Sequence, residues 1–289
     1  MDINRKTFLK EVSLLAGASL ISANVLADMM RGTKHDMKLG FVTYLWGKDW
    51  DVPTLIKNCT ESNIHGVELR VEHAHKVMPE LNTSQRSEVR KMFENSPVKV
   101  VGLGTNQQYD FPDQAQLKAS MERTKQFIQL SADVGGTGVK VKPNALHKEV
   151  PTEKTLAQIG ASLHELASYA ADHGQQLRLE VHGEQTQELP NIKTIMQHAD
   201  HPNARICWNC NPQDLNGQGF QYNFDLVKQY FGDTCHVREL DRTDYPYKEL
   251  IANLMKMDYK GWVLLECHTN PDDKVKEMKI QRTVFDRMI

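Results

Sequence analysis

Four short apolar segments in the second half of this 289-residue chain each carry a ligand-type side chain near their C-terminal end. They read Leu177-Arg178-Leu179-Glu180-Val181-His182, Ile206-Cys207-Trp208-Asn209, Cys235-His236-Val237-Arg238 and Trp262-Val263-Leu264-Leu265-Glu266. Glu180, Asn209, His236 and Glu266 stand 29, 27 and 30 residues apart, about one strand-plus-helix unit per step. Two carboxylates, an amide oxygen and an imidazole at one end of a parallel barrel suit a divalent cation such as manganese, cobalt, magnesium or zinc. Such an ion polarises a carbonyl, and a neighbouring carboxylate can then remove the proton from the adjacent carbon. Singly, each residue has a plainer reading: a salt-bridged interior carboxylate, a hydrogen-bonded core histidine, or a turn asparagine before Pro212. Four of them at four successive strand ends favour one metal site.

Residues two apart on a strand share a face. Glu180 therefore brings His182, Glu266 brings His268, and His236 brings Arg238. Lys140 and Lys142 share a face on another segment, as do Glu68 and Arg70 on a third. Trp46, just beyond the first segment, could stack on the apolar face of a sugar. Trp46, Glu68, Lys142, His182, Arg238 and His268 are thus the expected substrate contacts. For Glu68 the competing reading is an interior ion pair with Lys142 or Arg178. For Trp46 it is an ordinary rim tryptophan.

These residues need a frame. From Lys38 onward, strand-like runs over 39–44, 66–71, 98–103, 138–142, 177–182, 205–209, 234–239 and 262–267 alternate with helical periodicity. The helical stretches cover 52–62, 83–95, 113–133, 152–173, 191–198, 224–230, 247–257 and 272 to the end. Strand–helix alternation implies right-handed crossovers and a parallel sheet. Eight such units with no linker predict an α/β fold, a single (β/α)8 TIM barrel over 38–289. No Gly-x-Gly-x-x-Gly opens the first helix, so the open dinucleotide-binding alternative lacks its fingerprint.

The first 27 residues read as a signal peptide, with a short linker over 28–37. Asn4 to Lys10 is basic, Val12 to Ala27 is apolar, and Val25-Leu26-Ala27 offers a cleavage point. Lys6 stands where a twin-arginine signal has its second arginine, which leaves the general secretory route open. The apolar run is too short to span a bilayer, so no stable membrane insertion is expected after processing. The expected location is the periplasm. A net charge of −2 with no basic stripe argues against nucleic acid as a partner. The odd count of five cysteines argues against a disulfide scaffold. Cys207-Trp208-Asn209-Cys210 has redox spacing, but it follows a strand rather than opening a helix, so buried thiols are the better reading. Homo-oligomerisation is left open.

The chain resembles the xylose-isomerase-like barrel superfamily. The resemblance rests on Gly66-Val67-Glu68-Leu69, Leu179-Glu180-Val181-His182, Cys207-Trp208-Asn209, His236-Val237-Arg238-Glu239 and Gly261-Trp262 through Glu266. That superfamily includes sugar isomerases, ketose 3-epimerases and inosose-processing enzymes. The resemblance implies that Glu180, His236 and Glu266 bind a divalent ion, and that the two glutamates exchange protons with substrate from opposite faces. Asn209 stands where the epimerase-like members carry an aspartate, so the site has one negative charge fewer. The implied activity is metal-dependent isomerisation or epimerisation of a non-phosphorylated sugar or glycoside through an enediolate. The alternatives are a 3-keto-glycoside lyase acting by β-elimination at the same site and a non-catalytic carbohydrate-binding barrel. An abasic-site endonuclease shares the fold, but it needs more metal ligands and a basic surface.

Overall fold

A computed structural model describes residues 36–289. The signal peptide expected over 1–27 lies outside the described residues. Among the described residues eight strands alternate with eight α-helices. The strands are β1 (Lys38–Val42), β2 (Gly66–Arg70), β3 (Lys99–Gln108), β4 (Gly138–Lys142), β5 (Gln176–Glu180), β6 (Ala204–Cys207), β7 (Thr234–Val237) and β8 (Trp262–Leu265). The helices are α1 (Val52–Glu61), α2 (Thr83–Glu94), α3 (Gln114–Asp133), α4 (Thr152–Asp172), α5 (Leu189–Ala199), α6 (Phe220–Val227), α7 (Tyr247–Lys256) and α8 (Lys274–Asp286).

The strands pair in parallel in the order β6-β5-β4-β3-β2-β1-β8-β7. The seam between β6 and β7 is held by one bridge, Ile206 to Phe231, and by the amide of His236 donating to the Trp208 carbonyl at 2.7 Å. The result is a nearly closed (β/α)8 TIM barrel, as expected. Among the described residues no helix is long and apolar enough to cross a membrane. All five cysteines are buried free thiols, which accords with the buried reading of Cys207 and Cys210.

Local chemistry sets the element ends. Asp51 caps α1 by accepting from the Thr54 amide at 2.9 Å, and Pro53 occupies its first turn. Asn82 and Gln85 form a reciprocal capping box on α2. Two boundaries differ from expectation by four residues or more. β3 runs on to Gln108 because both neighbours hold it, Arg70 pairing with Gly104 and Lys142 with Gln108. α6 begins at Phe220, four residues earlier than its periodicity suggests. Phe220 and Phe224 pack against Trp208 with ring centroids 6.0 and 5.8 Å apart, and Gly219 at φ +88° makes the turn into the helix.

Alternation splits the strand residues between two cores. Outward residues such as Leu177 and Leu179, with Leu156, Ile159, Leu163 and Leu166 of α4, belong to the main apolar core. Inside the barrel the apolar content is small: Val42, Val101 and Leu264 form a plug against Tyr44 and Trp262. At the foot of the barrel Arg178 is fully buried and donates to the Val101 carbonyl at 3.1 Å and Thr137 Oγ1 at 2.7 Å. It therefore does not serve as an ion-pair partner for Glu68.

Candidate active site

The third residues of β2, β4 and β7 and the last residue of β5 all face the barrel interior. They are Glu68, Lys140, His236 and Glu180, each no more than 1 % exposed. Glu266 lies one residue past β8. Its amide donates to the Val237 carbonyl at 2.7 Å, which extends the ladder one step and keeps Glu266 in phase with inward-facing Leu264.

These side chains converge. His236 Nδ1 lies 3.3 Å from Glu180 Oε1 and 3.6 Å from Glu266 Oε2. Its Nε2 donates to Glu68 Oε1 at 3.1 Å. Lys140 Nζ donates to the other oxygen of Glu180 at 2.7 Å. One ligand atom from each of Glu180, His236 and Glu266 falls within 4.8 Å of the others. Although buried, His236 Nδ1 has no hydrogen-bond partner. This donor set fits a divalent ion. Two carboxylate oxygens face an orphaned imidazole nitrogen, at separations that bonds of about 2.0–2.2 Å would bridge. A carboxylate on the second ring nitrogen is the usual support for a metal-binding histidine.

Gly104 on β3 makes that support fit. A Cβ there would sit 2.6 Å from Glu68 Oε1. Gly104→Ala is expected to push Glu68 off His236 and weaken manganese binding about 10- to 100-fold by calorimetric titration. Unchanged affinity would show that Glu68 does not orient the ring.

The charges are mutually arranged. Burial alone would lower the pKa of Lys140, but Glu180, Glu266 and Glu68 outweigh it and keep the ammonium charged. Burial would raise Glu180, yet Lys140 and His236 hold it well below the usual carboxylate range. Burial would also raise Glu266, and His236 chiefly offsets it, leaving that carboxylate below its ordinary value. Burial would lower His236, while Cys207, Glu68 and Glu266 together raise it well above. A metal at Nδ1 would therefore displace a proton, so its affinity should rise with pH. Burial lowers the pKa of His182, Lys142 and His268.

Above this floor opens a pocket of about 410 Å³, a size that suits a small-molecule ligand. Glu180 and Glu266 reach it from below, and Tyr44, Arg70, Lys142, His182, Asn209, Asn211, Arg238 and His268 contribute to its wall. The structure thus brings Lys142, His182, Asn209, Arg238 and His268 together with the two glutamates. Two expected substrate contacts are corrected. Glu68 is fully buried and contacts His236 instead of the pocket, without the expected ion pair to Lys142 or Arg178. Trp46 is 1 % exposed, and its indole N–H donates to the Thr269 carbonyl at 3.0 Å, so it presents no face to a ligand. The aromatic wall is formed by Tyr44 and His268, whose ring centroids are 5.5 Å apart.

Sequence reasoning left Tyr44 and Asn211 out of the site, and it put Arg70 and Lys140 on the faces at the mouth without giving either a role. Three carry a signal: Tyr44 is in phase with Val42, Arg70 with Glu68 and Lys140 with Lys142. Asn211 sits in the loop after β6, where no periodicity operates.

That loop has its own buried support. Asn211 Nδ2 donates to the Val181 carbonyl at 2.5 Å. Asp214 Oδ2 accepts from the Asn211 amide at 2.8 Å and from the Tyr245 hydroxyl at 2.6 Å. Tyr245 in turn accepts from the Trp208 indole at 3.0 Å. Burial pushes the Asp214 carboxyl up from 3.8 to about 7. An acid raised in the folded state keeps a proton that the unfolded chain releases, so stability falls as pH rises from about 4 to about 7. The thermal midpoint of Asp214→Asn is accordingly expected to fall less than that of the wild type between pH 5 and pH 8. Parallel curves for the two proteins would count against a protonated Asp214.

Over residues 56–284 the sequence matches the family described as xylose isomerase-like TIM barrel. No curated protein matches it. Solved structures share the fold. The apo form of 3-keto-D-glucoside 4-epimerase from E. coli aligns at TM-score 0.73 and 13 % identity, covering 87 % of this chain and 99 % of that one. L-ribulose 3-epimerase aligns at TM-score 0.73 and 14 % identity, covering 87 % and 94 %. D-psicose 3-epimerase from Clostridium cellulolyticum H10, solved with D-tagatose, aligns at TM-score 0.72 and 15 % identity, covering 87 % and 98 %. At such identities these likenesses establish the fold alone, whereas the family match spans most of the barrel and all of the converging strand ends. The chain belongs to the xylose isomerase-like TIM barrel family.

Proposed function

We propose that this protein is a metal-assisted sugar isomerase or epimerase that removes a proton from the carbon beside a sugar carbonyl. The observation that carries this reading is the convergence of Glu180 and Glu266 on the orphaned Nδ1 of His236, at the floor of a pocket large enough for a sugar. Glu180, His236 and Glu266 would hold the ion, with Asn209 on the adjacent wall. When bound, a divalent ion supplies Lewis acidity to the carbonyl oxygen and so acidifies the neighbouring C–H. Glu266 has 12 % of its side chain exposed against 2 % for Glu180, and it is the carboxylate better placed to take that proton. His182 and Lys142 line the wall where they can hold the substrate oxygen or return a proton to it. Return of the carbon-bound proton to the same carbon gives epimerisation, and return to its neighbour gives isomerisation. Reading residues 1–27 as an export signal favours free sugars and glycosides over phosphorylated ones.

One observation supports β-elimination as a second reading. Oε2 of Glu180 is held by Lys140, which leaves Glu266 as the less encumbered base. Elimination of an aglycone from a 3-keto-glycoside can proceed with one carboxylate, which takes the C2 proton as the C1–C2 double bond forms and the C1–O bond breaks and then passes that proton to the departing oxygen, whereas epimerisation needs a proton donor on the opposite face. A deuterium wash-in experiment tests both. The protein is incubated in heavy water with manganese and a panel of ketoses and 3-keto-glycosides. Solvent deuterium beside the carbonyl supports isomerase or epimerase chemistry, and aglycone release supports elimination. Sugar binding with neither outcome, on protein shown to hold manganese, would leave a carbohydrate-binding barrel.

A further inference from the structure

Three cations line the pocket without a counter-ion. Arg70 closes β2, Lys142 closes β4 and Arg238 follows β7. Among the described residues, none of the three has a carboxylate within 4.0 Å. Arg70 donates to neutral oxygens only, Asn106 Oδ1 at 2.6 Å and the Gly104 carbonyl at 3.5 Å. All three are half-buried. Burial, and then the like charges of Lys140 and Arg70, hold Lys142 below its ordinary pKa, as expected where negative charge is short. A third carboxylate, the exposed Glu184, also lines the pocket but lies more than 4.0 Å from each of the three cations, and the two floor carboxylates are otherwise engaged. Glu180 is engaged by Lys140 at 2.7 Å, and both glutamates belong to the ion under the proposed function. A bound divalent ion would only deepen the positive surplus. Nor is the chain basic overall, since its net charge is −2. Half-buried charge without a partner is costly, and guanidinium and ammonium groups converging on one cavity suit a carboxylate or phosphate.

We propose that the substrate is an anionic sugar whose acidic group seats against Arg70, Lys142 and Arg238 above the Glu180–His236–Glu266 floor; with residues 1–27 read as an export signal the expected group is a carboxylate, and tighter binding of the phosphate would count against that reading. The identity of the ligand as a sugar rests on the proposed function; the demand for an anion rests on the cations alone.

The test is calorimetric titration of the manganese-loaded protein at low ionic strength with D-fructose, D-fructuronate and D-fructose 6-phosphate. At least one anionic ketose is expected to bind about tenfold or more tightly than D-fructose, and added salt should shrink the difference. Whichever anion binds more tightly identifies the group as carboxylate or phosphate. Arg70→Gln, Lys142→Gln and Arg238→Gln should each weaken the anionic ligand by about 10- to 100-fold, and each should weaken it more than it weakens D-fructose. Lys142→Gln removes no hydrogen bond within the described protein, so it remains informative if Arg70→Gln fails to fold. D-Fructose binding as tightly as both anions would overturn the inference, as would a preference that survives the substitutions. Deuterium uptake into D-fructose with no anionic preference sinks the inference and spares the proposed function. Anionic preference without uptake into any of the three does the reverse.

Discussion

Glu266→Gln is expected to lower the rate of solvent-deuterium uptake into substrate by about a thousandfold, within the usual range for removing a general base. Glutamine preserves the shape of the side chain and keeps one oxygen toward His236, but it cannot accept a proton. The fold should survive. Glu266 keeps 12 % of its side chain exposed, and the repulsion from Glu180 partly offsets the attraction of His236 that holds its carboxylate below the ordinary value, so neutralising it costs little stability at neutral pH. Stability lowered only slightly, with exchange lost, is the pattern of a residue kept for chemistry rather than folding. Nuclear magnetic resonance of the recovered sugar reads the exchange, and urea unfolding reads the stability. Exchange within tenfold of the wild-type rate would remove Glu266 as the base and shift that role to Glu180 or His182.

Lys140→Met should produce the largest change in stability. It strips the ammonium from Glu180 at a site where both groups are no more than 2 % exposed. Breaking a buried ion pair on one side typically costs about 3–5 kcal/mol, because the remaining charge is left without compensation. Manganese should return part of that loss, since an ion binding only the folded state adds about 2.7 kcal/mol at a hundred times its dissociation constant. Pairing the change with Glu180→Gln should also recover much of the loss, which a double-mutant cycle would show as coupling. The measurement is urea unfolding with chelator and then with manganese. A loss below about 1 kcal/mol in chelator would mean that His236 alone compensates Glu180. The pH dependence follows from the same pair. Glu180 titrates well below 4.5 when folded, so its contribution is present above that pH and is lost as the solution is acidified through the folded value. Lys140→Met should flatten the acid limb of the stability curve.

The barrel was legible because its signals are local. Eight apolar runs, each followed by a helical period, count the βα units directly, and element ends follow short rules such as the Asp51 cap and Pro53. The misplaced ends of β3 and α6 had distant causes, namely pairing to Lys142 and packing against Trp208. The site divides in the same way. Alternation along each strand put Glu180, His236 and Glu266 on the inner face, and barrel geometry put that face at one mouth. The partners of those residues were not legible. Glu68 reaches His236 across 168 positions, and Lys140 reaches Glu180 across 40. Trp46 is tied down by a carbonyl 223 positions away.

Periodicity records which way a side chain points, since a strand reverses its faces every residue whatever lies beside it. It therefore settles the interior placement of the acids and the histidine before any folding is considered. It does not record stagger between strands, which sets the height at which each inward group sits. Closure of the barrel fixes that height. It lowers Glu68 beneath His236, raises Arg70 to the pocket, and sets Lys140 against one oxygen of Glu180 while the other faces the imidazole.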